Sequence, residues 1–183
     1  MFERASGVRI PPSPPDFMKV NIRPQKVSDA PRFLEILSNP NFKFFHVSEV
    51  SLADEIKFLK KNKEKRKINF EHNYAILADG VVVGGCGIKI DQHRPYIGEI
   101  GYFLDEAYWG RGITVRAVKL LEKVGFDRLG LSRIVILVNT GHRASQRVAT
   151  KSGYKREGLL KKSHHCAVHK NEYEDCFLYA KLK

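Results

Sequence analysis

The stretch YFLDEAYWGRGITVRA, residues 102–117, decides how the rest of the chain reads. It starts as the end of a strand, turns through Gly110 and Gly112, and enters an amphipathic helix at Ile113. A helix N-terminus offers unpaired N–H groups and partial positive charge. Glycines before it let a phosphate approach the backbone without Cβ atoms intervening. Arg111 adds a full charge beside them. The residues therefore point to an anion or pyrophosphate site, the plainer alternative being a tight strand-to-helix turn. Two other phosphate loops do not fit. The P-loop requires Gly-Lys-Ser/Thr at its end, and none follows. The dinucleotide fingerprint requires a third glycine where Val115 stands.

Working outward, residues 97–104 (IGEIGYFL) read as the strand that feeds this loop. Upstream, residues 74–78 and 81–90 flank Asp79-Gly80, a two-residue hairpin signal, and Gly84-Gly85 suggests a bulge in the second strand. Residues 19–23 form a short strand stopped by Pro24. Ser28 or Asp29 caps a helix to Leu37 with Phe33, Leu34 and Leu37 as its stripe. A second helix from Ser51 carries Leu52, Ile56 and Leu59 and ends in a basic run, residues 57–67. Downstream, Ile113, Ala117, Leu120, Leu121 and Val124 continue the helix to Gly130. Residues 134–138 read as a strand buried on both faces, 142–152 as a short helix, and 154–160 and 173–182 as two last strands. The order predicts an α+β (α/β three-layer) fold: a mixed central sheet of about six to seven strands with helices on both faces.

The chain has 183 residues, 43% apolar and 28% charged, which suits one soluble globular domain. No apolar run approaches the ~20 residues that span a bilayer, so no membrane partner is expected. Cys86, Cys166 and Cys176 form no disulfide framework, and no secretory segment is evident, which predicts a cytoplasmic location. The net charge of +12 suits an anionic partner, such as a phosphate-bearing cofactor, an acidic peptide or RNA, or else a solvated basic surface.

Residues 1–17 stand apart. Prolines at 11, 12, 14 and 15 block both helix and sheet, while Met18 opens a conventional start. Val8 to Pro11 is what a transfer-RNA T-arm sequence would encode if read through. The domain is accordingly expected to span residues 18–183, behind a non-core leader that reflects a mis-assigned start or a disordered tail. His164, His165, Cys166 and His169 invite a zinc reading, but their spacing matches no standard site and a second cluster is missing. A polar loop between the last two strands is the expectation, and no metal is assigned.

Residues 97–117, with IRPQKVSDA near the start, VNTGHRASQRVATKSGY further on and NEYEDCFLYAKL at the end, resemble the GNAT acetyltransferases, specifically the RimJ/RimL type, over residues 18–183. The resemblance implies a GNAT fold in which the strands at 97–104 and 134–138 splay apart to admit acetyl-CoA as co-substrate. Its pantetheine arm would pair with backbone groups of Tyr102, Phe103 and Leu104. Its pyrophosphate would meet the amides of Arg111, Gly112, Ile113 and Thr114, with Trp109 and Gly110 completing the loop. Three positions depart from the family pattern: Thr114 in place of Ala or Gly, Arg116 in place of Glu, and His142 in place of an Asn that helps hold the coenzyme A arm.

The implied reaction is acetyl transfer to a primary amine, which requires a neutral nucleophile and a proton for the leaving thiolate. Glu99 matches a glutamate some GNAT enzymes use as general base, and an apolar strand should raise its pKa; the alternative is a structural carboxylate. Ser145 is the acid in the RimL-like pattern, or a helix cap, since the tyrosine many relatives use is Ala149 here. Tyr102 and Tyr108 are further candidate proton donors, with aromatic packing as the alternative for both, and Tyr173 and Asp175 match a family tail signature read as structural support of the acceptor pocket. The expected acceptor is a protein or peptide N-terminal α-amine, with transient proximity to the ribosome or RNA. A +12 chain repels cationic small amines, unless Glu49, Asp54 and Glu55 line the pocket. The alternatives are a polyamine or aminoglycoside acetyltransferase, a non-catalytic acyl-CoA-binding domain, and an RNA-binding protein argued from charge alone.

Overall fold

Hydrophobic alternation, interrupted at Asp79-Gly80, builds the first hairpin. In the computed structural model, which describes residues 18–42, 51–165 and 172–183, both turn residues have positive φ, 49° and 84°, as a tight hairpin turn requires. This turn joins β2 (Glu71–Ala78) to β3 (Val81–Ile90). β1 (Val20–Pro24) pairs antiparallel with β2, and β4 (Ile97–Leu104) pairs antiparallel with β3. The bulge falls at Val83, where Ile76 faces Gly84 and Leu77 faces Val82, one residue before the glycine pair. The glycines answer a different need, close approach to β4. A Cβ at Gly84 would lie 2.3 Å from the Phe103 carbonyl oxygen, and one at Gly85 would lie 2.6 Å from the Phe103 ring.

The second half contributes β5 (Arg133–Asn139), β6 (Lys155–His165) and β7 (Tyr173–Leu182). The seven strands run in the order β1-β2-β3-β4-β5-β7-β6. Only β4 and β5 are parallel, and they pair over three positions, Ile97, Gly98 and Glu99 against Arg133, Ile134 and Val135. Beyond Glu99 they diverge, which is the expected splay. β5 is not buried equally on both faces: Ile134, Ile136 and Val138 are buried, whereas Val135 and Leu137 between them are half-buried. β6 extends to His165, so His164 and His165 belong to a strand rather than to a loop.

Helices cover both faces. α1 (Ala30–Leu37) and α2 (Leu52–Lys67) pack on one side around Ala30, Phe33, Leu59 and Ala75. Phe33 meets Phe103 of β4 edge-on at 5.4 Å. The buried stripe of α1 is Ala30, Phe33 and Ile36, with Leu34 only half-buried. In α2 the buried face is Glu55, Leu59 and Asn62, and Leu52 is exposed. Asn62 is tolerated there because it is satisfied: it donates to Gln25 at 2.8 Å and accepts from Asn73 at 3.1 Å. The other face carries α3 (Ile113–Lys123), which widens into a π turn over Val124–Arg128, and α4 (Arg143–Lys151). Ile113, Ala117, Val118 and Leu121 bury against the larger core cluster, with Leu120 half-buried. Among the described residues no helix is long and apolar enough to cross a membrane.

Candidate active site

The loop between β4 and α3 is braced from several directions. Asp105 accepts from the Ala107 N–H at 2.9 Å and from the Arg32 guanidinium, which also donates to the Val82 carbonyl at 3.1 Å. The Trp109 indole N–H donates to the Leu104 carbonyl at 2.7 Å. Asn39 and Asn41 donate to Glu106 at 2.7 and 2.9 Å, and the Phe42 ring lies 6.0 Å from Trp109. Arg116, the departure from Glu, donates to the Met18 carbonyl at 2.7 Å and to the Arg111 carbonyl at 3.2 Å, fastening the loop to the start of β1.

This bracing fixes an unusual backbone. Gly110 and Gly112 have φ of 75° and 68°, a left-handed conformation costly for any residue with a Cβ. A Cβ at either would meet nothing within 4 Å, so the glycines border open space. Gly112 is the N-cap of α3, and the N–H groups of the first helical turn have no intrahelical acceptors. These features suit an anion held by backbone amides. The Arg111 side chain lies over the ring of Tyr108, a cavity-lining residue, at 5.5 Å.

The opening between β4 and β5 is a cavity of about 550 Å³. Of the residues expected from sequence, Tyr102, Phe103 and Leu104 line it from β4. Trp109, Gly110 and Gly112 line it from the loop, Ile113 and Thr114 from α3, and His142 and Ser145 from the other wall. Past Glu99 the β5-facing edge of β4 has no strand alongside, leaving backbone groups for an extended ligand. This cradle, the bare glycines and the amide-rich helix start fit the phosphates and arm of a coenzyme A thioester.

The side chains divide between two faces. Tyr102 turns toward α4, where its hydroxyl lies 2.8 Å from Ser145 Oγ. Burial pushes the Tyr102 phenol up to about 12, although the bond to Ser145 works against the shift. His142 is the N-cap of α4, its backbone N–H donating to the Asn139 carbonyl at 2.9 Å. Burial lowers the His142 pKa, so the ring is neutral near pH 7. Ala149 is wholly buried in the core.

Glu99, three residues before Tyr102, faces the opposite side, because strand side chains alternate. It is half-buried beside the last paired position of β5, and among the described residues its carboxylate has no hydrogen-bond or ion-pair partner. It does not line the cavity directly, but Gly101 on the same face does, and a Cβ at Gly101 would meet nothing within 4 Å.

The far wall was not legible in the sequence. Asn139, Glu174, Cys176 and His164 line it, along with Arg147 and Lys151 of α4. They meet because β7 inserts beside β5, and no motif announces that pairing. Asp175 accepts from the Lys162 N–H at 2.8 Å, and its carbonyl accepts from the Thr140 N–H at 3.1 Å, so it joins β6 and β5 around this wall. Tyr173 is 55% exposed. Asp54 and Glu55 do not line the cavity: Asp54 sits exposed in the first turn of α2 and Glu55 is buried in it, and Glu49 lies outside the described residues. Among the described residues no group of His, Cys, Asp or Glu is placed to hold a metal ion, and Cys166 and His169 lie outside them.

Comparison with known proteins agrees in one direction. Residues 19–155 match the family described as Acetyltransferase (GNAT) domain. The chain is 30% identical over 154 residues to the probable N-acetyltransferase YjcK of Bacillus subtilis, covering 79% of this chain and 84% of that one. It is 34% identical over 109 residues to the ribosomal-protein-serine acetyltransferase of Escherichia coli, 60% of this chain and 59% of that one. Its fold is similar to that of RimL, a ribosomal L7/L12 α-N-protein acetyltransferase solved with coenzyme A. The TM-score is 0.79 at 22% identity, over 89% of this chain and 93% of the other.

Proposed function

Because the chain belongs to the GNAT family of acetyltransferases, we propose that it transfers acetyl from acetyl-CoA to the α-amine of a protein or peptide N-terminus. The family makes it an acyltransferase. The single observation that carries the finer reading is the cavity itself. A helix start suited to an anion and a half-buried Tyr102 beside Ser145 open onto one space, with the unpartnered Glu99 set back beyond Gly101.

Acetyl-CoA, when bound, supplies an activated thioester. The amides at the start of α3 and the open edge of β4 hold it, with His142 beside its arm. Glu99, directly or through water, takes a proton from the amine. Ser145, held by Tyr102, is the proton source for the leaving thiolate.

Two arguments favour an α-amine. The similarity to a ribosomal-protein-serine acetyltransferase covers more than half of this chain. An α-amine also has a reference pKa of about 7.7–8.0 against about 10.4 for a lysine, so a carboxylate base frees it more readily. A cytoplasmic location, with transient proximity to the ribosome or RNA, belongs to the same proposal. Its test compares kcat/KM for N-terminal peptides with spermidine and an aminoglycoside at matched ionic strength. Peptide preference is expected. A preference for either small amine by tenfold, about 1.4 kcal/mol in transition-state binding, overturns the N-terminal reading and leaves the acyltransferase assignment standing.

A further inference from the structure

The wall where β6 and β7 meet the cavity carries three groups with no part in the scheme above. His164 is exposed on β6, paired in register with Glu174 of β7. Its Nδ1 lies 3.6 Å from Cys176 Sγ and 3.4 Å from Ser163 Oγ. Glu174 accepts from the side-chain amide of Asn139, which is itself fixed by accepting from the Gly141 N–H at 2.7 Å. Cys176 is buried, and its thiol pKa is raised by burial and then by the charges of Glu174, Asp175 and Glu99. Glu174 thus places a carboxylate on one corner of the cavity in a chain whose net charge is +12. That corner favours a cation.

An amine near neutral pH arrives largely as the ammonium and must shed two protons to become an amide. The first leaves before attack and the second as the N–C bond forms. Glu99 is one carboxylate, set back from the cavity surface. We propose that His164 is a second base, taking the first proton from an acceptor ammonium drawn in by Glu174, so that Glu99 receives the second. This rests on the acetyl-transfer reading above.

The balance is complete. The ammonium gives one proton to His164 Nε2, in the tautomer whose Nδ1–H points at the Cys176 sulfur, and the exposed imidazolium returns it to water. The neutral nitrogen then bonds the acetyl carbon as the C–S bond breaks. Its second proton goes to Glu99, the thiolate takes one from Ser145, and the proton on Glu99 restores Ser145 through water. One proton is released per turnover. The other charged groups that line the cavity are Arg147 and Lys151 on α4.

The test follows thiol release from acetyl-CoA with a serine-initiated peptide from about pH 6 to about pH 9.5. His164→Gln should lower kcat/KM for the peptide at about pH 7 by roughly tenfold or more. The deficit should close at high pH, where the α-amine is already neutral. KM for acetyl-CoA and the melting temperature should not move, and His164→Asn should behave alike. Glu174→Gln should raise the peptide KM without changing the shape of the pH profile. An unchanged rate, or a deficit equal at every pH, overturns the role of His164 while wild-type turnover still supports acetyl transfer. A wild type that binds acetyl-CoA but releases no thiol with any peptide or amine overturns both.

Discussion

The Tyr102 hydroxyl and Ser145 Oγ lie 2.8 Å apart, one on the diverging end of β4 and the other in the first turn of α4. The bond ties the two walls of the cavity and points the serine hydroxyl into it. Ser145→Ala should lower kcat by about 10²-fold or more with little change in acetyl-CoA affinity, as expected on loss of a general acid. Tyr102→Phe leaves the serine in place but unsupported and should give a smaller loss. Steady-state kinetics with calorimetric acetyl-CoA affinities would check both, and a fully active Ser145→Ala removes the serine from the reaction.

Gly112 separates backbone strain from ligand exclusion. With φ at 68° and open space before it, Gly112→Ala adds only conformational strain, about 1–2 kcal/mol. Gly112→Glu places a negative chain where the phosphate would sit. Calorimetry should show acetyl-CoA binding weakened more than tenfold further by Glu than by Ala. Equal affinities would mean that the α3 N-terminus is not the phosphate site.

Glu99→Gln should reduce turnover far more than acetyl-CoA affinity, because the carboxylate serves the amine and not the donor. The deficit should persist at high pH, because the proton that Glu99 takes leaves as the N–C bond forms, after the amine is already neutral. Equal activity near pH 7 would exclude Glu99 from the chemistry.

Alkali should destabilise the fold earlier than its surface charges imply. Burial pushes the Cys86 thiol up from 9.0 to about 12 and the Tyr102 phenol from 10.0 to about 12, and it also raises Tyr154. Between the unfolded and folded values the unfolded chain has lost protons that the native state keeps. Stability is therefore full below about pH 9 and falls as pH rises toward about 12. Melting temperatures across that range should show the decline, and Cys86→Ala should flatten its early part.

A chain beginning at Met18 should melt and bind acetyl-CoA like the full-length chain. Met18 is buried in the core and its carbonyl accepts from Arg116, so a chain that begins there keeps both contacts. A clear loss on truncation would assign residues 1–17 to the domain.

The β4–loop–α3 unit was readable because each of its parts is local: a strand, two glycines with positive φ, and a helical stripe. The Asp79-Gly80 hairpin was readable for the same reason. The polar stripe of α2 was not, since Asn62 is acceptable inside only because Gln25 and Asn73, 37 and 11 residues away, satisfy it. Glu174 and Asn139 meet across 35 residues, and only the insertion of β7 between β5 and β6 unites them. The separation of Glu99 and Tyr102, the partner of Ser145, onto opposite faces of β4 follows from alternation along that strand. The parting of β4 from β5 beyond Glu99, which opens the cavity, is something alternation does not reveal.

Three residue pairs are a short seam for a seven-stranded sheet. It leaves β1–β4 and β5–β7 as two panels hinged at Glu99 and Val135, with α3 and α4 as the cross-braces. A long ligand lying along the open end would act as a splint between the panels. Its binding should do more than raise the melting temperature by mass action. Amides far from any contact, deep in the β5–β7 panel, should exchange with solvent in step with those of β1–β4, because opening one panel then requires releasing the splint from both.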